Sequence, residues 1–195
     1  MPASPDEPRL TSWPLLESTP RGHFKVFDVR EDLRQSPTTG RAHTFYVIES
    51  SDWVNIVPLT PDGRIVFVKQ VRHATDEVTL EIPGGMVDAG EDPAKAARRE
   101  MQEETGYDSA QIIPLGAVAP NPAILNNRCH TYLALEAHPV GPPQLDGAEE
   151  IQLTHVDPAE VPGLILSGGI THSLVVAAFY LFDQWHRAQG RPPSS

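Results

Sequence analysis

The sequence predicts a mixed α/β domain, and three observations predict it. Residues 84–106 join a glycine-bearing loop (Gly84, Gly85, Gly90) to a helix whose ends are both written in the sequence: Asp92-Pro93 as N-cap and first residue, Gly106 as the C-terminal stop. Alternating or continuous apolar runs on either side read as strands. Residues 170–187 bring Ile170, Leu174, Ala177, Ala178, Leu181 and Trp185 to one side at three- and four-residue steps, the pattern of an amphipathic helix.

Taken in order, residues 1–20 carry Pro2, Pro5, Pro8, Pro14 and Pro20 without periodicity and read as an extended N-terminal arm. Residues 21–50 read as an antiparallel strand pair, 23–30 and 43–49, separated by the Ser36–Gly40 turn cluster. Residues 51–188 read as the main domain. It opens with strands 53–59 and 64–71, expected to form a hairpin around Pro61-Asp62-Gly63. Residues 77–82 lead into the glycine loop. Strands follow the helix near 110–118, 129–136 and 150–156, with a Pro- and Gly-rich loop at 139–147. Asp157-Pro158-Ala159-Glu160 starts a helical turn, and 189–195 is a polar tail.

Composition excludes some functions. The formal net charge of −11 disfavours a nucleic-acid scaffold, which needs basic surface, but leaves room for a small phosphate ligand beside a bound cation. The one cysteine, Cys129, permits no intrachain disulfide and fits a reducing compartment. No apolar run has the length of a membrane span. A cytoplasmic protein that meets neither nucleic acid nor membrane is the expectation.

The chemistry lies on the helix. Glu100, Glu103 and Glu104 stand at i, i+3 and i+4, so their carboxylates share one face, where they repel one another. Alone they read as a solvated acidic face. As hard oxygen donors they are also what Mg²⁺ or Mn²⁺ takes, and a cation removes the repulsion. Arg99 stands four residues before Glu103, at ion-pair spacing. Trp13, Tyr46 and Trp53 offer rings for stacking, though core or dimer contacts are the commoner use of such groups.

The spacing goes further. Gly85, Glu91 and the run Arg99-Glu100-Met101-Gln102-Glu103-Glu104-Thr105-Gly106-Tyr107 match every fixed position of the Nudix box, and the chain resembles the Nudix hydrolase superfamily over about residues 42–180. The resemblance implies an α/β/α sandwich with a mixed sheet, here preceded by the N-terminal strand pair. It implies Mg²⁺, with Mn²⁺ as the alternative, held by Glu100, Glu103, Glu104 and the Gly84 carbonyl. Glu103 is then ligand or base, and Arg99 orients it while meeting Glu91. Glu81, in Glu-Ile-Pro-Gly-Gly, and Arg72, in Val-Arg-His, match substrate-side positions of enzymes like ADP-ribose pyrophosphatase. Pro122, fifteen residues past Tyr107, marks the same branch. The surrounding segment from Asn121 to His130, with Asn126, resembles a nucleotide-sugar-hydrolysing subgroup. Either Glu149 or Glu150 matches the acidic residue that a loop brings to the metals in related enzymes.

The resemblance therefore implies a metal-dependent pyrophosphohydrolase that cleaves ADP-ribose or nucleoside diphosphate sugars to a nucleoside monophosphate and a sugar phosphate. Another nucleoside diphosphate-X substrate, or an ADP-ribose-binding regulator with an inactive domain, are the alternatives. A homodimer through residues 21–50 is expected, because a strand pair outside the core leaves an edge uncovered.

Overall fold

The computed structural model describes residues 10–145, 147 and 150–190. They divide into two compact units: the described part of Met1–Ser50 together with Asn121–Asn126, and the described part of Ser51–Pro120 together with Asn127–Ser195.

The first unit is an antiparallel sheet of three strands, β1 (Leu15–His23), β2 (Asp28–Gln35) and β3 (Ala42–Glu49), in that order. The strand expected at 23–30 is displaced. Residues 24–27 form the loop between β1 and β2, closed by the Phe24 N–H donating to the Phe27 carbonyl at 3.0 Å with the two rings 4.9 Å apart. The two-residue steps Phe24–Val26 and Phe27–Val29 imitate a strand across that loop. Residues 15–20 of the expected arm are extended, but as a paired strand. Pro20 lacks an N–H for the ladder and sits at a register shift between Pro20 and Gly22, where a strand tolerates it. The sheet is pinned by Asp32, which is fully buried and lies 3.0 Å from Arg30 Nε and 2.8 Å from Arg34 Nη2 and Ser18 Oγ.

The second unit contains β4 (Trp53–Pro58), β5 (Ile65–Arg72), β6 (Glu77–Glu81), β7 (Gly84–Met86), α1 (Pro93–Thr105), β8 (Tyr107–Asp108), β9 (Gln111–Val118), β10 (Cys129–Leu135), β11 (His138–Pro139) and β12 (Ile151–Val156). A 3₁₀ turn (Pro158–Glu160), α2 (Val161–Leu166) and α3 (Ser173–Ala188) follow. One sheet runs β7-β4-β10-β9, with β4 and β10 parallel and the other pairs antiparallel, so it is mixed as expected. A second runs β12-β5-β6, and β8 pairs with β11.

The expected hairpin of β4 and β5 does not form. Gly63 adopts φ 81° and its N–H reaches the Thr60 carbonyl, so the turn is made. The strands then part into different sheets, joined only by the Leu59–Ile65 bridge. The reason is that β4 lies inside its sheet, with β7 on one edge and β10 on the other.

Side chains of β4 alternate with the period of two that a pleated strand imposes. Val54 and Ile56 pack in one cluster with Ala96, Ala97 and Met101 of α1. Val57 packs in the other with Val175, Phe179 and Phe182 of α3. On β10, Tyr132 and Ala134 join the α1 cluster and Leu133 the α3 cluster. The sheet thus lies between two helices, the α/β/α layering. The α3 stripe is rotated from the expected one: Val175, Ala178, Phe179 and Phe182 are buried, while Leu174, Ala177, Leu181 and Trp185 are half-buried flanks. The large rings decide the face, Phe179 stacking on Phe67 at 5.4 Å. Ile170 is buried but precedes the helix, and the helical turn expected from Asp157 is the 3₁₀ turn that runs on into α2.

Helix α1 has the expected ends. Asp92 Oδ1 accepts from the Ala94 and Lys95 N–H groups, and Gly106 adopts φ 71°. Gly90 has φ 78° with open space around it, whereas a Cβ on Gly106 would collide with the Gly141 carbonyl. Gly90→Ala should therefore cost only the left-handed backbone term, about 1 kcal/mol, and Gly106→Ala at least about twice that. Urea unfolding of both variants checks the order, and equal losses would contradict it.

Candidate active site

The loop from β7 to α1 and the second half of α1 meet through Arg99. Its Nε and Nη2 donate to the two oxygens of Glu91, at 3.1 and 3.0 Å. Nη2 also reaches the Met86 carbonyl at 3.1 Å, and Nη1 donates to Glu100 Oε1 at 2.8 Å and Glu103 Oε2 at 3.0 Å. The i,i+4 spacing of Arg99 and Glu103 is therefore used, and the loop acid Glu91 completes the arrangement. Hydrogen bonds from Arg99 hold the Glu91 carboxyl below the usual range against the opposing effect of burial.

Glu104 is 4% exposed, and its Oε2 accepts from the Gly84 N–H at 3.1 Å. Glu100 lies so close to Gly85 that a Cβ there would strike its carboxylate; one on Gly84 would strike the Val54 carbonyl and Asn55. Both glycines are required by close approach, since neither has a positive φ. The loop thus presses against Glu100 and Glu104, while Glu103 is more open, with 44% of its side chain exposed.

Among the described residues, no three His, Cys, Asp or Glu side chains are gathered at metal-ligating distances. The donor set still fits a hard divalent cation. Mg²⁺ is commonly held by one or two carboxylates and completes its shell with water and substrate phosphate oxygens. Glu100 and Glu104, both at the Gly84–Gly85 loop, supply such a pair.

Next to the loop is a cavity of about 240 Å³ lined by Trp53, Val54, Asn55, Arg72, Glu81, Ile82, Gly84, Gly85, Met86, Cys129, His172 and Leu174. Arg72 and Glu81, read separately from the sequence, are bonded to each other: Nε and Nη2 of Arg72 fork onto the two Glu81 oxygens, each at 2.7 Å. Thr79 Oγ1 donates to the same carboxylate at 2.6 Å. Burial would raise the Glu81 carboxyl, but Arg72 and Thr79 outweigh it and hold the group below the usual range. Cys129 is no nucleophile at neutral pH, because burial, helped by the charge of Asp52, pushes its thiol up to about 12.

Beyond Arg72, Glu81 and Gly84, the lining is made of residues not expected at the site. Asn55 ties β4 to α3 through Nδ2 and the Leu174 carbonyl at 3.2 Å. Trp53 sits at the start of β4, where its ring was read first as a core or dimer group. His172 and Leu174 were hidden by the expectation that the helix began at 170. The remaining expected residues are not among those lining the cavity. Pro122 and Asn126 belong to the first unit, where Asn126 Oδ1 accepts from the Ser50 N–H at 3.3 Å. Glu150 is exposed ahead of β12, and Glu149 lies outside the described residues. A larger apolar cavity, about 460 Å³, lies between α2 and α3 and contains none of the residues expected for catalysis.

The Glu81 carboxyl is depressed, so its ionised form adds stability above its unfolded pKa, about 4.3, and that stability is lost as the pH falls through the folded value. Glu81→Gln should lose about 1 to 2 kcal/mol at pH 7, a range reduced because Arg72 is 42% exposed, and the gap to wild type should close below about pH 4. Thermal unfolding of both proteins from pH 3 to 7 measures it; a gap that widens in acid would contradict the ion pair.

Residues 51–179 match the NUDIX domain family. The ADP-ribose pyrophosphatase of Bacillus subtilis (strain 168) is 31% identical over 112 residues, 57% of this chain and 60% of that protein. The ADP-ribose pyrophosphatase of Mycobacterium tuberculosis is 30% identical over 154 residues, 78% of this chain and 74% of that protein. The chain thus spans only part of the length of these relatives. A crystal structure of an ADP compounds hydrolase has the same fold, with a TM-score of 0.82 and 21% identity, over 95% of this chain and all of that one. Box residues assembled on one loop and helix, a family match over most of the chain and a shared fold agree: the chain belongs to the NUDIX family.

Proposed function

We propose that the protein is a metal-dependent pyrophosphohydrolase acting on a nucleoside diphosphate linked to a second group, with ADP-ribose or an ADP-sugar as substrate. The observation that carries this reading is the Arg99 arrangement, which holds Glu91, Glu100 and Glu103 together while the glycine loop seats Glu100 and Glu104. Support comes from the relatives, two of them ADP-ribose pyrophosphatases. A third, from Mus musculus, is an ADP-sugar pyrophosphatase.

In the reaction, a water oxygen bonds to one phosphorus and the bridging P–O bond breaks. The bridging oxygen leaves with the other phosphate, giving a nucleoside monophosphate and a phosphorylated second group. Divalent cations, Mg²⁺ or Mn²⁺, neutralise the diphosphate and acidify the attacking water when bound. Glu100 and Glu104 would hold them, together with the Gly84 carbonyl. Arg99 keeps Glu103 oriented toward the same region, as a further ligand or as the acceptor of the water proton. Arg72, fixed by Glu81, addresses the substrate from the cavity. A reducing, cytoplasmic setting suits the single buried cysteine, and neither nucleic acid nor membrane is part of the reading.

A homodimer through the first unit belongs to the same proposal. Its sheet ends in two edge strands and exposes Leu15, Leu16, Phe24, Val26, Phe45 and Tyr46, apolar groups that a second copy would cover.

Glu100→Gln and Glu104→Gln should each lose at least about a hundredfold in kcat/KM, roughly 2.7 kcal/mol of transition-state stabilisation. Without metal both variants should unfold close to the wild-type temperature, since each relieves a like-charge repulsion but weakens the carboxylate's bond to Arg99 or to the Gly84 N–H. Glu103→Gln should recover with added Mg²⁺ if Glu103 is a ligand and stay impaired at saturation if it is the base. Near-normal turnover of ADP-ribose and ADP-sugars by both Glu100→Gln and Glu104→Gln at saturating Mg²⁺ would overturn the metal assignment. Light scattering at micromolar concentration should give twice the chain mass; a monomer mass would remove the dimer.

A further inference from the structure

His172 is the N-cap of α3, and the way it caps fixes its chemistry. The Leu174 N–H donates to His172 Nδ1 at 3.2 Å, so Nδ1 is an acceptor and carries no proton. In the neutral ring the proton then resides on Nε2, and His172 is one of the residues lining the cavity. Glu81 Oε2 stands 3.9 Å away, too far for a hydrogen bond, and already accepts from Arg72 at 2.7 Å. Among the described residues, Nε2 has no hydrogen-bond partner, and the side chain is 31% exposed. It therefore shares with Arg72 a cavity that Gly84 and Gly85 also line. The Glu81 charge is offset by the Arg72 fork, which makes this end of the cavity compatible with an anion.

We propose that His172 is a substrate-binding residue whose Nε2–H donates to a non-bridging phosphate oxygen of the substrate diphosphate. The proposal rests on the pyrophosphohydrolase reading for the identity of that diphosphate. The cap keeps the imidazole in the donor tautomer, so the helix N-terminus and the substrate contact depend on the two nitrogens of one ring.

The two roles are separable by substitution. His172→Asn supplies a strong N-cap oxygen and removes the distal donor, whereas His172→Ala removes both. The full chain is titrated with inorganic pyrophosphate at fixed Mg²⁺, by calorimetry and by following the ¹⁵N-labelled imidazole resonances. The expected result is a shift of the His172 Nε2 resonance on binding, together with at least a fivefold weaker pyrophosphate affinity in His172→Asn at an unchanged melting temperature. His172→Ala should show the same weakening plus a lower melting temperature. For ADP-ribose, the His172→Asn defect should fall on KM more than on kcat. An unshifted resonance, or pyrophosphate affinity restored in His172→Asn, leaves His172 as a cap only and overturns the proposal. Wild type that binds pyrophosphate through His172 but hydrolyses no nucleoside diphosphate derivative would instead overturn the activity reading, so the two failures are distinct.

Discussion

The local structure of the candidate site depends on one guanidinium. A helix ending in Glu100, Glu103 and Glu104, with no basic residue in its last turn, is electrostatically unfavourable twice over. The carboxylates repel across i,i+3 and i,i+4 spacings, and they lie toward the negative end of the helix dipole. Arg99 answers part of this from within the helix. Its five hydrogen bonds take in two helix acids, one loop acid and the Met86 carbonyl that ends β7. A guanidinium has five N–H donors in a planar fork, and a lysine ammonium could not reproduce that reach. The loop is thereby fastened to the helix, while Glu104, on the far side of Glu100, is fastened by the Gly84 amide. The residual negative charge is what a cation would answer.

Much of this was legible in the sequence because it is local. Asp92, Pro93 and Gly106 define α1 by rules that act over a few residues, and the Glu and Arg positions follow from helical spacing. The Glu91 contact was legible only through the resemblance, since spacing alone does not bend a loop back onto a helix. Strand order was not legible. Pro61-Asp62-Gly63 makes its turn correctly, yet what β4 pairs with is settled by residues far along the chain. In the first unit, Phe24 and Val26 alternate in a loop because a hairpin of aromatic groups and a strand share that pattern over four residues. The face of α3 was misplaced by weighting all apolar residues equally, when Phe179 and Phe182 have the greater area to bury.

The cavity joins residues that the sequence presents as unrelated. Arg72 ends β5, Glu81 ends β6 and His172 precedes α3, with ninety-one positions separating the last two. Each has an ordinary explanation alone: a surface charge, an outward strand acid, a polar residue in a helix. The antiparallel pairing of β5 with β6 brings Arg72 and Glu81 into reach, and the docking of α3 against β4 through Asn55 brings in His172. Chemistry of this kind is a property of topology and has no local signature.

The central place of β4 has a kinetic consequence. Its parallel partner β10 begins with Cys129 opposite Trp53, so the pairing closes a loop of more than seventy residues. Such closures come at an entropic cost that short-range contacts do not carry, and chains dominated by them fold slowly. Helix α1 has the local signals to form early, but its buried stripe rests on Val54, Ile56, Tyr132 and Ala134, which share a surface only after that closure. A nascent chain would display the acidic helix well before it possessed the cavity, whose lining also needs His172 and Leu174 from the start of α3.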